Sequence, residues 1–156
     1  MEDTKFLEFL DTIENHNRAF VRDINQFLLD SNCKCEMKAA KSGVVASYIL
    51  KETKRTLATF VCRKTGVKLR IYPQNLSKYE GFLNTFPAKM KQEIRKSSVC
   101  KRRINPNDCN PKCVTGYDFV MDEEHHQKCR YMAFMPTLTE ENNPFIREFL
   151  EKELSN

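Results

Sequence analysis

The sequence predicts an α+β fold: an antiparallel sheet, formed by a four-strand meander plus a C-terminal hairpin, packed by N-terminal and C-terminal helices. Three observations carry this. Apolar residues recur at helical spacing near both ends of the chain. Between Cys33 and Tyr72 the period changes to 2. A run from Cys100 to Cys129 follows neither pattern and holds four of the seven cysteines.

Phe6, Phe9, Leu10 and Ile13 fall at i, i+3, i+4 and i+7, one face of a helix capped by Asp3 or Thr4. Asn15-His16-Asn17 breaks it. A second helix presents Phe20, Ile24, Phe27 and Leu28 and ends near Asp30-Ser31-Asn32. Cys33, Cys35, Met37 and Ala39 then alternate with charged residues as a half-buried strand, which makes Cys33 and Cys35 same-face core thiols. A turn at Lys41-Ser42-Gly43 leads to strands over 44–50, 56–63 and 67–72. Thr65-Gly66 marks the last hairpin turn, since glycine takes positive φ cheaply. Val67, Leu69 and Ile71 share one face of the last strand, and Lys68, Arg70 and Tyr72 share the other. Pro73 ends pairing because it lacks an N–H.

Asn75 caps an expected helix carrying Leu76, Tyr79, Phe82 and Leu83, and Pro87 opens another carrying Met90 and Ile94. After the cysteine run, Tyr117–Met121 and Lys128–Met135 read as hairpin strands joined by Asp122 to Gln127. Thr137-x-x-Glu140 resembles a capping box, and Asn143-Pro144 starts a final helix bearing Ile146, Phe149, Leu150 and Leu154. With 156 residues and no repeat or linker, residues 1–156 form one domain with a Cys-rich loop and hairpin inserted at about 99–130.

No apolar run approaches the roughly 20 residues of a spanning helix, and the acidic start MEDTKFLEFL lacks the basic region of a signal peptide. The expected location is the cytoplasm, where seven cysteines, an odd number, serve as thiols or metal ligands rather than disulfides. Cys100-x8-Cys109-x3-Cys113-x15-Cys129 supplies four soft ligands, and the turn formers Asn105-Pro106-Asn107-Asp108 and Asn110-Pro111 can fold them together. Zinc is the cofactor this set suits, as a structural site stapling a long loop. His125 or His126 can replace one cysteine. Unmetallated thiols and a Cys-ligated iron–sulfur cluster are the alternatives.

The net charge of +5 is concentrated, because residues 89–103 alone sum to +6. Such a patch argues for an anionic partner. Lys68 and Arg70 on the sheet face, with Lys101, Arg102 and Arg103 on the loop, are the candidate anion-binding residues, and Tyr72 and Tyr131 are candidate stacking platforms for a nucleic acid. A small anionic ligand would use the same charges. A thiol- or metal-dependent enzyme is the alternative, with Cys100 activated by the adjacent basic residues. The four glycines form no phosphate-cradling loop, and no nucleophile elbow occurs. The expected protein is a binding or regulatory module with a structural four-cysteine zinc site and a basic surface.

The run from Thr56 to Pro73, TLATFVCRKTGVKLRIYP, resembles the central hairpin of small bacterial α+β proteins of the YjbR and YdhG-like kind, and the segment from Cys100 to Cys129 resembles a cysteine-bearing clostridial variant. The resemblance implies a compact sheet packed by helices and a DNA-binding or regulatory role. It carries no catalytic motif and no site residue.

Overall fold

The computed structural model describes residues 4–40, 43–105, 107 and 115–155; Lys41 and Ser42 of the first expected turn, with Cys109 and Cys113, lie outside the described residues. The α+β expectation holds. Helix α1 (Thr4–Asp11) buries Phe6, Phe9 and Leu10, and a 3-10 turn at Asn15–Asn17 leads into α2 (Arg18–Asp30). Helix α2 seals its face with Val21, Ile24 and Leu28, whereas Phe20 and Phe27 are only partly buried. Asn32, at φ 67°, reverses the chain after α2 in the left-handed conformation that asparagine tolerates.

Strands β1 (Cys33–Ala40), β2 (Gly43–Leu50), β3 (Thr56–Arg63) and β4 (Gly66–Ile71) form an antiparallel meander in sequence order. Val67, Leu69 and Ile71 are buried on its inner face, as their alternation predicts. Gly66 takes φ 125° opposite Arg63 and closes the β3–β4 hairpin. Helix α1 lies on β2 and α2 on β1. Tyr48, fully buried between them, donates its hydroxyl to Asn25 Oδ1 at 2.7 Å.

One irregularity reshapes the open face. Tyr48 pairs with Ala58 but Ile49 pairs with Thr56, so Leu57 is an extra residue in β3. A bulge switches the in-out alternation. Leu57 goes into the core, and Thr56 joins Thr59 and Val61 on the outer side.

The second sheet differs from expectation. It pairs β5 (Tyr117–Met121) with β6 (Glu124–Lys128), joined by Asp122 and Glu123 at φ 52° and 67°. Two consecutive positive φ values make the tight turn that twisted hairpins favour. Asp-Glu gives a weaker signal for it than Asn-Gly, so Glu124 to Gln127 reads as loop although it is strand. The run expected as the second hairpin strand, 128–135, instead leaves β6 and turns back. From Phe134 to Leu138 the chain lies along the β4 edge: Ile71 N–H donates to Phe134 O, Leu69 N–H to Pro136 O and Leu138 N–H to Val67 O.

The helix expected over Leu76–Leu83 is two 3-10 segments, Leu76–Lys78 and Glu80–Thr85. Gly81, Asn84 and Thr85 are poor helix formers, which favours short i→i+3 turns. Helix α3 (Ala88–Lys96) starts after Pro87, and a single turn α4 (Lys101–Ile104) follows Cys100. Thr137 does not cap a helix; its N–H and hydroxyl donate to Glu93. Helix α5 (Asn143–Leu154) begins with Pro144 in its first turn, as expected. Its Phe149 sits among Tyr79, Phe82, Phe86 and Phe134, which joins α5 to the core. Among the described residues, no helix is long and apolar enough to cross a membrane.

Candidate anion-binding groove and cysteine cluster

Alternation on β2, β3 and β4 leaves one row of side chains on the open face. Ser47, Thr59 and Arg70 lie abreast across three strands, since Ser47 pairs with Thr59 and Thr59 with Arg70. The Ser47 and Thr59 hydroxyls are 3.1 Å apart. The chain leaving β6 forms a wall: Arg70 Nε donates to Tyr131 O at 2.8 Å and pins Arg130 and Tyr131 beside the sheet. The result is an open groove of about 570 Å³. Its floor is Val45, Ser47, Thr59 and Val61, and its cationic lining is Arg55, Arg63, Arg70 and Arg130, with Tyr72 and Tyr131 beside them.

No aspartate or glutamate is among the described residues lining this groove. Arg55 is oriented from behind: one nitrogen donates to Tyr72 O at 2.6 Å, and another meets Glu153 Oε2 at 3.3 Å. Arg130 lies over the Tyr117 ring at 4.9 Å and donates to its hydroxyl at 3.2 Å. Among the described residues, Arg70 and Arg130 have no carboxylate partner, so their hydrogen bonds leave the charges uncompensated. The Nε atoms of Arg55 and Arg130 are buried without a hydrogen-bond partner among the described residues. The Tyr72 and Tyr131 rings meet edge to face, with centroids 6.0 Å apart. Burial raises the Tyr72 hydroxyl's pKa against the opposing charge of Arg70, so it remains a neutral donor at physiological pH.

The residues singled out from the sequence divide among three places. Arg70 lines the groove. Lys68, two positions along the same face, is held by Glu93 at 2.8 Å. Lys101, Arg102 and Arg103 are on α4 and are not among the groove's lining residues. Much of the basic 89–103 segment is also answered by acids: Lys91 and Arg95 both bind Asp122 in the β5–β6 turn, at 2.9 and 2.7 Å. These bonds hold the Asp122 carboxyl below the usual carboxylate range.

Sequence reasoning missed Arg55, Arg63 and Arg130. Arg55 precedes a strand and Arg130 follows one, and the two are brought together by pairings that no local motif announces. The outward period-2 row Thr59, Val61, Arg63 beside Arg70 and Tyr72 is the one signal that could have found Arg63.

Cys100 and Cys129 flank a second feature. Val99 bridges Lys128, Cys100 N–H donates to Gln127 O, and Cys129 N–H donates to Ser98 O. In this antiparallel register the two cysteines occupy diagonal positions on neighbouring segments, on the same face. Cys100 Sγ is buried and accepts the Gly116 N–H at 3.2 Å. Burial works to raise the thiol's pKa, but the amides of Gly116, Arg103 and Arg102 and the Arg103 guanidinium outweigh it and lower it. Arg103 is itself tied to Gly116 O at 2.7 Å. Gly116 has no room for a side chain, because a Cβ would lie 2.2 Å from Lys128 O.

His125 binds Asp118, and His126 stacks on Phe119. Among the described residues, neither hydrogen-bonds Cys100. Cys109 and Cys113 fall outside the described residues, and no group of three metal-ligating side chains occurs among the rest. Cys33, Cys35 and Cys62 are thiols, Cys33 within the core and the other two packed against it; burial raises the pKa of Cys33 and Cys62.

No protein-family model, curated protein or solved structure matches the chain. The groove and the cysteine pair therefore carry the functional argument by their own geometry.

Proposed function

We propose that the protein is a cytoplasmic binding module of the regulatory kind, which holds an anionic ligand in the arginine-lined groove on the open face of its sheet. The observation that carries this is the convergence of four arginines on one cavity, with no acid among its described lining residues. Arginine suits the task because its fork of donors matches phosphate and carboxylate oxygens and its charge persists at any physiological pH. The hydroxyls of Ser47, Thr59 and Tyr72 add neutral donors, and Val45 and Val61 give the floor apolar area. A few placed polar groups in a concave, partly apolar site is the usual composition of a ligand site.

Zinc belongs to the same proposal as a structural staple held by Cys100, Cys109, Cys113 and Cys129. What supports it is chemical fit: Cys100 Sγ accepts the Gly116 N–H, backbone N–H groups lower its pKa against the effect of burial, and Cys129 is registered beside it. Zinc requires the deprotonated thiolate. When bound, the ion would cross-link the loop to Cys100 and Cys129.

Isothermal titration with pyrophosphate tests the groove. Saturable binding that weakens at least tenfold in Arg70→Ala is expected. Equal binding by the variant, or none by the wild type, removes the reading.

A further inference from the structure

We infer that the ligand of the groove is a single-stranded nucleic acid, threaded along β3 and round the β3–β4 turn; this rests on the anion-binding reading above. The groove does not end at Arg63. A second open cavity of about 770 Å³, lined by Cys62, Arg63, Lys64, Thr65 and Lys68, shares that arginine and wraps the hairpin tip. No acid is among the described residues lining it, although Lys68 is engaged by Glu93 and the Glu14 carboxylate lies against Gly66 at the turn. Together the two form one basic track.

Its length argues against a compact ligand. Arg55 and Arg63 stand at opposite ends of β3, and strand rise over that interval gives about 25 Å. Arg70, abreast of Thr59, falls between them. A chain of evenly spaced anions can follow the lining from Arg55, whose charge Glu153 already answers, past Arg70 and Arg130 to Arg63, and a track this long suits about four nucleotides. The two tyrosines supply the other half of the recognition. Tyr131 is 47% exposed, and its edge-to-face arrangement with Tyr72 steadies the pair beside the arginines. Unpaired bases present flat faces that stack on such rings, whereas a duplex hides them. An acidic peptide would satisfy the arginines and leave the tyrosines unused.

The experiment measures anisotropy of fluorescein-labelled oligouridylate of four and twelve residues with the full chain, alongside pyrophosphate, polyglutamate and an unlabelled duplex as competitors. Both oligonucleotides are expected to bind and to be displaced by pyrophosphate. The log–log salt slope should be about −3, from Arg63, Lys64, Arg70 and Arg130 at about 0.7 per phosphate. Tyr131→Ala should weaken binding about tenfold and Tyr131→Phe restore it. Arg63→Ala should lower the magnitude of the slope by about 0.7. Both residues are solvent-facing, so these variants keep the fold. If pyrophosphate binds with its Arg70 dependence but the oligonucleotides do not, the inference fails and the anion-binding reading stands. Polyglutamate or duplex competing as well as single strands also overturns it. If neither pyrophosphate nor oligonucleotide binds, both readings fall.

Discussion

Removing the Glu153 carboxylate should unfasten α5 and loosen the groove together. Its side chain is wholly buried and accepts hydrogen bonds from the Gln74 and Asn75 amides at 2.8 and 3.1 Å, the Asn75 side chain at 3.2 Å and the Tyr79 hydroxyl at 2.6 Å. It also pairs with Arg55, which is 24% exposed, at 3.3 Å. In Glu153→Ala each stranded buried donor costs about 1–3 kcal/mol. Breaking a buried pair from one side costs about 3–5 kcal/mol in all. We take the latter as the net figure because the segment can relax and admit water. Against a total stability of about 5–15 kcal/mol this is severe. Urea denaturation should show a midpoint lower by about 2 M at an ordinary slope. Tyr79→Phe, which strands only one acceptor lone pair, should cost about 1.5–3 kcal/mol. Adding Arg55→Leu to Glu153→Ala should cost less than the two single losses combined, because the uncompensated cation is gone. A loss under about 1 kcal/mol in Glu153→Ala, or strict additivity with Arg55→Leu, would refute the reasoning.

Three further outcomes follow from other contacts. Gly116→Ala should destabilise by about 1–3 kcal/mol by urea melt, since its Cβ must displace Lys128 O or Cys100 Sγ; an unchanged midpoint contradicts that packing. Burial, with Lys128 adding to the effect, lowers the His126 pKa below the ordinary 6.5 in the folded protein. The unfolded chain then binds the proton more readily, and this contribution is complete above about pH 6.5 and lost as pH falls towards the folded value. Thermal melts should show that loss in the wild type and a flatter profile in His126→Phe; parallel profiles would contradict it. Metal analysis of protein purified without chelator should give about one zinc per chain, and chelation should lower the melting temperature. Four freely titrating thiols in metal-free protein would end the zinc proposal.

What the sequence made legible was whatever a local period encodes. The β4 alternation placed Val67, Leu69 and Ile71 inside and Arg70 and Tyr72 outside, and Pro144 marked the start of α5. What it hid depended on backbone angles or distant pairing. Asp122 and Glu123 adopt positive φ without a glycine to announce it, which displaced a strand by several residues. The bulge at Leu57 re-aims Thr56 through pairing with β2, which composition does not record. Within the basic 89–103 segment, the counter-ions of Arg95, Asp122 and Glu124, lie far along the chain, so local charge counting does not find them. Arg130 is placed at the groove by contacts distant in sequence: Arg70 holds the neighbouring Tyr131 carbonyl, and Tyr117 holds Arg130 itself.

The most direct test of the account is a pyrophosphate titration of the isotope-labelled protein followed by amide chemical shifts. Saturable changes should centre on Thr59, Arg70, Tyr72 and Tyr131, with Lys101 to Arg103 unmoved. Changes confined to the α4 segment, or none on the sheet face, would contradict it.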